Sequence, residues 1–326
     1  MKLATLPNGT KDGRLVVVSR DLSRAVEAGP IVPSLREALE RWDEVEAGLR
    51  RLADELERSS STGLVFDCSL AMAPLPRAWQ WLDGSTYRSH AQLMEAVFGH
   101  RTEPRDMLLY QGLSHRFIAA HEDVPFSNEA DGIDFEGEFG VITAEVPFNA
   151  TVAEARNSIR LVVQINDWSL RNWAPRELKI GFGWIHAKPP CSLAPVAVTP
   201  DELGDAWRDE RIHLPLEVAW NGKHFGAATG SEMEVSFAEL IAYASQTREL
   251  CAGTVLGSGT VSNAAYREVG SSCIAERRGI EVLDHGRAST PYLSFGDRVR
   301  MEARMGDGSP LFGAIDQQVV RALGRG

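Results

Sequence analysis

Glu136 and Glu138 are separated by one residue in the run Asp134-Phe135-Glu136-Gly137-Glu138-Phe139-Gly140-Val141-Ile142. Side chains on a strand alternate faces, so the two carboxylates point the same way, about 6–7 Å apart. Further on, the apolar run Leu161-Val162-Val163-Gln164-Ile165 closes with Asn166-Asp167-Trp168-Ser169-Leu170-Arg171, which puts Asp167 at the end of a buried strand. Upstream, Asp83-Gly84 sets a carboxylate in a glycine turn. His90 follows near the start of a predicted helix, where the dipole favours the neutral imidazole that a base needs. Four carboxylates converging on one spot cannot all stay ionised without a cation between them. Their donors are all oxygen, which selects Mg2+, Ca2+ or Mn2+ over zinc or copper. The flanking Phe135, Phe139, Val141 and Ile142 argue against a solvated acidic face, and Gly137 and Gly140 suggest close approach by another group.

Other chemistries find less support. Gly257-Ser258-Gly259-Thr260 reads as a glycine turn able to hug a ligand. It lacks the lysine of a phosphate-binding loop and the order of a dinucleotide fingerprint. The chain has no G-x-S-x-G nucleophile elbow. Lys188 precedes Pro189-Pro190 in an extended loop, which could aim it, although an exposed lysine is the ordinary expectation. A formal net charge of −11 argues against a nucleic-acid partner, because a phosphate backbone needs a basic surface. The four cysteines, Cys68, Cys191, Cys251 and Cys273, are far apart, so reduced, mostly buried thiols are expected rather than a zinc knuckle or disulfide framework. Neither a signal core nor a membrane-length apolar run is present, and a cytoplasmic location with no membrane partner is expected.

The elements that must position these residues can be read in order. Residues 1–20 predict a hairpin, with turn residues around Asn8-Gly9 and Asp12-Gly13 and a strand at Leu15–Ser19. Another short strand or turn falls in 21–29. Ser34-x-x-Glu37 is a capping box, followed by Leu35, Leu39, Trp42, Val45, Leu49, Leu52 and Leu56 at helical spacing. One helix of about 20–25 residues is predicted there. The stiff Ala73-Pro74-Leu75-Pro76 connector divides the chain into a small N-terminal β-rich domain with one long helix, residues 1–72, and a larger domain, 73–326. A short helix spans 90–98, and a polar loop over 119–132 leads into the two-glutamate strand. Beyond it the chain reads as mainly β. Asn221-Gly222 marks a hairpin, Ser236-x-x-Glu239 caps one helix, and closing strands fall within 295–320. The fold class expected is mainly β, of the α+β kind.

The residues Asp83, His90, Tyr110-x-Gly112, Glu136-x-Glu138, Asn166-Asp167-Trp168-Ser169-x-Arg171, Lys188, Gly257-Ser258-Gly259-Thr260 and Glu276, in this order, resemble the fumarylacetoacetate hydrolase family. The resemblance covers roughly residues 75–320, and the N-terminal part is similar to the small β domain of the family's longer members. It implies a mixed β-roll catalytic domain and a homodimer. By the same resemblance Asp83, Glu136, Glu138 and Asp167 would ligate Mg2+ or Ca2+, and His90, oriented by Glu276, would activate water. Arg171 and Lys188 would stabilise negative charge, Tyr110 would contact substrate, and Thr260 would hold a carboxylate or oxo group. Two positions depart from the fumarylacetoacetate-cleaving pattern. Ala174 stands where a glutamine is found, and Ser85 where a tyrosine is found, which implies a different acyl chain. Pro189-Pro190 likewise replaces the serine-phenylalanine that often follows the lysine.

The expected activity is metal-dependent hydrolysis of a C–C bond in a β-diketo acid, fumarylacetoacetate-like or acylpyruvate-like, in aromatic-compound catabolism. One alternative uses the same metal without water attack, as a decarboxylase or as a hydratase or isomerase of an oxo acid. Another is a non-catalytic, metal-stabilised binding protein, which a pocket blocked by Trp173 or Trp184 would favour.

Overall fold

The computed structural model describes residues 1–59, 61–98 and 107–322. Its largest feature is an eleven-stranded sheet. From one edge it runs Leu64–Val65, Arg24–Glu27, Arg14–Val18, Lys2–Leu6, Val196–Val198, Ile159–Asn166, Gly137–Thr143, Val255–Gly257, Trp81–Gly84 and Leu109–Gln111, with Ser192–Leu193 pairing beside Ile159–Asn166. The N-terminal hairpin forms as its turn residues predict. Lys2–Ala4 then pairs antiparallel with Val196–Val198, so the first strands extend the central sheet. A second, five-stranded sheet is ordered Lys223–Thr229, Pro215–Trp220, Arg298–Glu302, Ile315–Arg321 and Val124–Phe126. The last of these strands lies within the stretch predicted to be a loop.

Alternation divides the large sheet's side chains between two apolar layers. Leu3, Leu15, Val17, Leu161, Val163 and Ile165 pack with Leu35, Leu39, Trp42, Val45 and Leu49 of the N-terminal helical segment. Ala4, Val16, Val18, Val162 and Val141 face the other way, into the layer shared with Leu216, Val218, Val299 and Met301 of the second sheet. Buried Gln164 joins the sheets, donating to the Met301 carbonyl (3.1 Å) and accepting from the Ala303 N–H (2.8 Å).

The predicted long helix is two, Leu35–Glu40 and Trp42–Arg58, separated at Arg41 with φ −125° and ψ 30°. The kink lets Leu35, Ala38 and Leu39 and then Trp42, Val45 and Leu49 all bury against one sheet face. The hairpin turn at Asn221-Gly222 has φ of 51° and 74°, both left-handed, as this two-residue turn requires. Beyond residue 133 there is more helix than the sequence suggested. Val152–Ser158, Ala174–Ile180 and Ile274–His285 join the predicted Phe237–Ala244. The fold is α+β. Among the cysteines, Cys191 and Cys273 are buried, Cys68 is half-buried, Cys251 is exposed, and all are free. Among the described residues, no helix is long and apolar enough to cross a membrane.

Candidate active site

Strand register builds the acidic cluster. Asp83 lies opposite Gly257 in a parallel pair, and Gly257 lies opposite Gly140 of the central strand. Glu138, two residues before Gly140, is on the same face and pairs with Ile165, two residues before Asp167. One carboxylate oxygen from each of Asp83, Glu138 and Asp167 lies within 4.8 Å of the others, and all three side chains are buried. Gly257 is a spatial requirement. A Cβ there would lie 2.3 Å from Asp83 Oδ1 and 2.9 Å from Glu138 Oε2. Gly137 and Gly140 are also closely approached, but by core groups: the Leu216 side chain at Gly137, and Ile165 with the Leu256 carbonyl at Gly140.

Glu136 is placed differently from Glu138. The strand breaks at Phe135, and Glu136 makes only a bridge to Cys273. Its carboxylate accepts from Arg171 Nη2 (2.6 Å) and Lys188 Nζ (2.5 Å). Lys188, buried rather than exposed, also donates to Asp167 Oδ2 (2.5 Å) and Ser169 Oγ (2.8 Å), so it stands between Glu136 and the cluster. Tyr110 donates to the same Asp167 oxygen (2.7 Å) and lies edge-on to Trp184. Trp173 stacks on His186 and donates to Asp131 (3.0 Å).

The electrostatics follow from burial and crowding. Burial first, then neighbouring carboxylates, pushes Asp83 and Glu138 well above the usual carboxylate range. Asp167 is raised too, chiefly by burial, against the pull of Lys188. Burial also raises Tyr110, helped by Asp167. For Glu136, Arg171 and Lys188 outweigh burial and hold the carboxyl below its usual range. Burial would lower Lys188, but Asp167 and Glu136 reverse this and keep it protonated.

This geometry fits a hard divalent cation. Both Glu138 oxygens and Asp167 Oδ1 are buried without a hydrogen-bond partner, a costly state for oxygens that a cation relieves. The donor set of Asp83, Glu138 and Asp167 is all oxygen, as Mg2+, Ca2+ or Mn2+ prefers.

A second polar group adjoins the first. His90 Nδ1 lies 3.0 Å from Glu276 Oε1, both side chains being buried. His90 is in the first turn of the helix Arg88–Phe98, and Glu276 in the first turn of Ile274–His285. The helices pack closely, since a Cβ on Gly279 would lie 2.8 Å from the Leu93 carbonyl. The pairing of Glu136 with Cys273 sets the start of the second helix beside the carboxylates.

Asp134 lies outside the set of site residues that the sequence predicts. Fully buried, it accepts from Arg171 Nε (2.8 Å) and from the Ile274 and Ala275 N–H groups (2.8 and 2.9 Å). It thereby anchors both Arg171 and the helix carrying Glu276. The period-two series Asp134-x-Glu136-x-Glu138 was the available signal. Asn166 accepts from the Glu136 N–H (3.1 Å) and Ser169 from Lys188, two further supports outside the sequence-predicted site.

A 2,4-didehydro-3-deoxy-L-rhamnonate hydrolase from Sphingomonas sp. (strain SKA58) is 31% identical over 180 residues, covering 54% of this chain and 59% of that relative. The oxaloacetate tautomerase YisK of Bacillus subtilis (strain 168) is 24% identical over 259 residues, covering 77% of this chain and 83% of the relative. Among solved structures, a fumarylacetoacetate hydrolase from Exiguobacterium antarcticum superposes with TM-score 0.64 at 20% identity, covering 99% of this chain and 100% of that one. A fumarylpyruvate hydrolase from Pseudomonas aeruginosa, in complex with Mn2+ and pyruvate, gives TM-score 0.55 at 14% identity, covering 76% and 92%. Residues 1–77 match the family described as fumarylacetoacetase N-terminal domain 2. Residues 80–320, which include every member of both polar groups, match fumarylacetoacetate (FAA) hydrolase C-terminal, and the chain therefore belongs to the fumarylacetoacetate hydrolase family.

Proposed function

We propose that this protein is a divalent-metal-dependent hydrolase of 2,4-dioxo acids, splitting an acylpyruvate-like substrate into a carboxylic acid and pyruvate. The observation that carries the reading is the buried His90–Glu276 pair beside a cluster of buried carboxylates in which both Glu138 oxygens and Asp167 Oδ1 have no hydrogen-bond partner. Asp83, Glu138 and Asp167 would hold the cation, with Glu136 adjoining through Lys188. When bound, a hard cation supplies Lewis acidity toward the chelating oxygens of the dioxo acid.

The chain's own residues account for the remaining chemistry. Glu276 orients His90, which accepts a proton from water as the water oxygen attacks the acyl carbonyl. Collapse of the tetrahedral adduct breaks the bond between that carbon and the adjacent methylene. The electron pair passes into an enolate of pyruvate, and the proton held on His90 returns to its carbon. Lys188 and Arg171 supply positive charge for the enolate and substrate carboxylate. Tyr110 and Thr260 are assigned to substrate oxygens. Atoms balance, with one water consumed and two acids formed.

The test is His90→Ala. Turnover should fall by about 10²–10⁴-fold with Mg2+ affinity unchanged. Full activity in the variant would remove His90 from the mechanism. A second reading, keto–enol tautomerisation of an oxo acid, is favoured by the coverage of the Bacillus tautomerase. The same pair can move a proton between carbon and oxygen without adding water. Product analysis separates the two, because tautomerisation leaves the carbon skeleton whole.

A further inference from the structure

Cys273 has a placement that the proposed reaction does not use. It is fully buried and precedes the helix Ile274–His285, its Sγ accepting the Glu276 N–H at 3.3 Å. Sulfur is a poor substitute for the hydroxyl or carboxylate oxygens favoured at this capping position. One donor atom each from His90, Cys273 and Glu276 lies within 4.8 Å of the others. We propose that these three residues form a second metal site, selective for thiophilic divalent ions such as Zn2+ or Cd2+ and separate from the all-oxygen cluster.

The donor types carry the distinction. One nitrogen, one sulfur and one carboxylate oxygen suit zinc-like ions, while the oxygen cluster suits hard ions. Around a tetrahedral zinc, such donors stand about 3.4–3.6 Å apart. His90 and Glu276 already approach to 3.0 Å, and donors no more than 4.8 Å apart need to close by at most about 1.3 Å to reach that spacing. A fourth position stays open, as in zinc sites with three protein ligands. Binding replaces the thiol proton: Cys273–SH and the metal ion give a metal thiolate and one released proton, with no change of oxidation state. A metal on His90 Nδ1 leaves hydrogen on Nε2, and a metal on Nε2 covers that nitrogen's lone pair. Either way the imidazole no longer acts as a base. The consequence, which rests on the proposed hydrolase reading, is that thiophilic ions silence turnover while Mg2+ stays bound.

The experiment titrates the full chain, held in excess Mg2+, with CdCl2. It reads the thiolate-to-cadmium ultraviolet band, proton release and turnover, with wild type compared against Cys273→Ser. Serine is a preferred cap, so the helix start is retained, and subtraction removes background from the other cysteines. One Mg2+-resistant cadmium equivalent with a thiolate band is expected, its affinity falling more than about tenfold in Cys273→Ser and in His90→Ala. Cadmium-113 NMR of the wild type should report sulfur and nitrogen ligation. An unchanged band and affinity in Cys273→Ser, an all-oxygen cadmium shift, or displacement by Mg2+ would overturn the site. Cadmium bound as expected without slowing turnover would uphold the site and instead remove His90 from the base role.

Discussion

Glu138 is fully buried, neither of its oxygens has a hydrogen-bond donor when the carboxyls around it are ionised, and Asp83 and Asp167 crowd it. Its ionised form is therefore a liability to the cation-free protein. Burial, then Asp83 and Asp167, raises its carboxyl well above the ordinary 4.5. With a folded value above the unfolded one, the folded protein keeps the proton longer. The contribution of Glu138 to stability without metal is thus fully present below pH 4.5 and is lost as pH rises through the folded value. Glu138→Gln removes the charge and offers Asp83 and Asp167 an amide donor. Relief of one buried, unsatisfied group is worth roughly 1–3 kcal/mol. That should raise the melting temperature at pH 7.5 in EDTA by roughly 3–6 °C and flatten its pH dependence. Metal acts with the opposite sign. A cation at 100 times its dissociation constant stabilises wild type by about 2.7 kcal/mol, and the variant, lacking an anionic ligand, should lose most of this shift. Scanning calorimetry of both proteins in EDTA and in Mg2+ or Mn2+ measures all four values. A variant less stable than wild type in EDTA, or one with an undiminished metal shift, would refute the reasoning.

Three other perturbations test separate parts of the structure. Asp134→Asn breaks the buried pair with Arg171 at the start of the helix bearing Glu276, and should lower stability by roughly 3–5 kcal/mol in urea titration. Gly257→Ala drives a methyl group to 2.3 Å from Asp83 Oδ1 and 2.5 Å from Trp81, so calorimetric titration should show cation affinity reduced at least about tenfold, with a fold penalty of about 1–3 kcal/mol. Glu281 accepts from Thr290 and Ser289; burial opposes ionisation, but these bonds prevail and hold the carboxyl at about 2. Its stabilisation is present above pH 4.5 and lost as pH falls through about 2. Discounted for partial exposure, Glu281→Gln should cost about 1 kcal/mol in urea melts at pH 7 and little at pH 2.

Local rules carried much of the fold. The two N-terminal strands, the Asn221-Gly222 hairpin and the Ser236 cap each depend on a few adjacent residues, and each is found where the sequence puts it. The break at Arg41 has no local marker, because the apolar stripe continues across it and tertiary packing sets the kink. Val152–Ser158 begins with the same Ser/Thr-x-x-Glu signal as the helix that was predicted, at Thr151 and Glu154. Its apolar face is too short to register, with only Ala155 and Ser158 buried. Ile274–His285 starts at a cysteine cap and carries charge over much of its surface, which conceals it from periodicity. The pairing of Lys2–Ala4 with Val196–Val198 joins distant segments and leaves no local trace.

The site was legible as chemistry more than as geometry. Spacing and residue type selected Asp83, Glu138 and Asp167, which the sheet register brings to one face. Period-two symmetry treated Glu136 as the equal of Glu138. After the strand break at Phe135, Glu136 accepts from Arg171 and Lys188, and Lys188 bridges it to Asp167, an arrangement visible only in three dimensions. Asp134 was hidden because its partners, Arg171 and the Ile274 and Ala275 N–H groups, come from two distant segments.

The central claim is that His90 and the carboxylate cluster together add water across a C–C bond. The most direct measurement incubates wild type with an acylpyruvate and with fumarylacetoacetate, in Mg2+ and in EDTA, following loss of the dioxo-acid ultraviolet band and identifying products by NMR. Mg2+-dependent, EDTA-sensitive conversion of at least one substrate into two acids in equal amounts is the predicted result. A single product with its carbon skeleton intact, or no conversion of either substrate with metal bound, would contradict it.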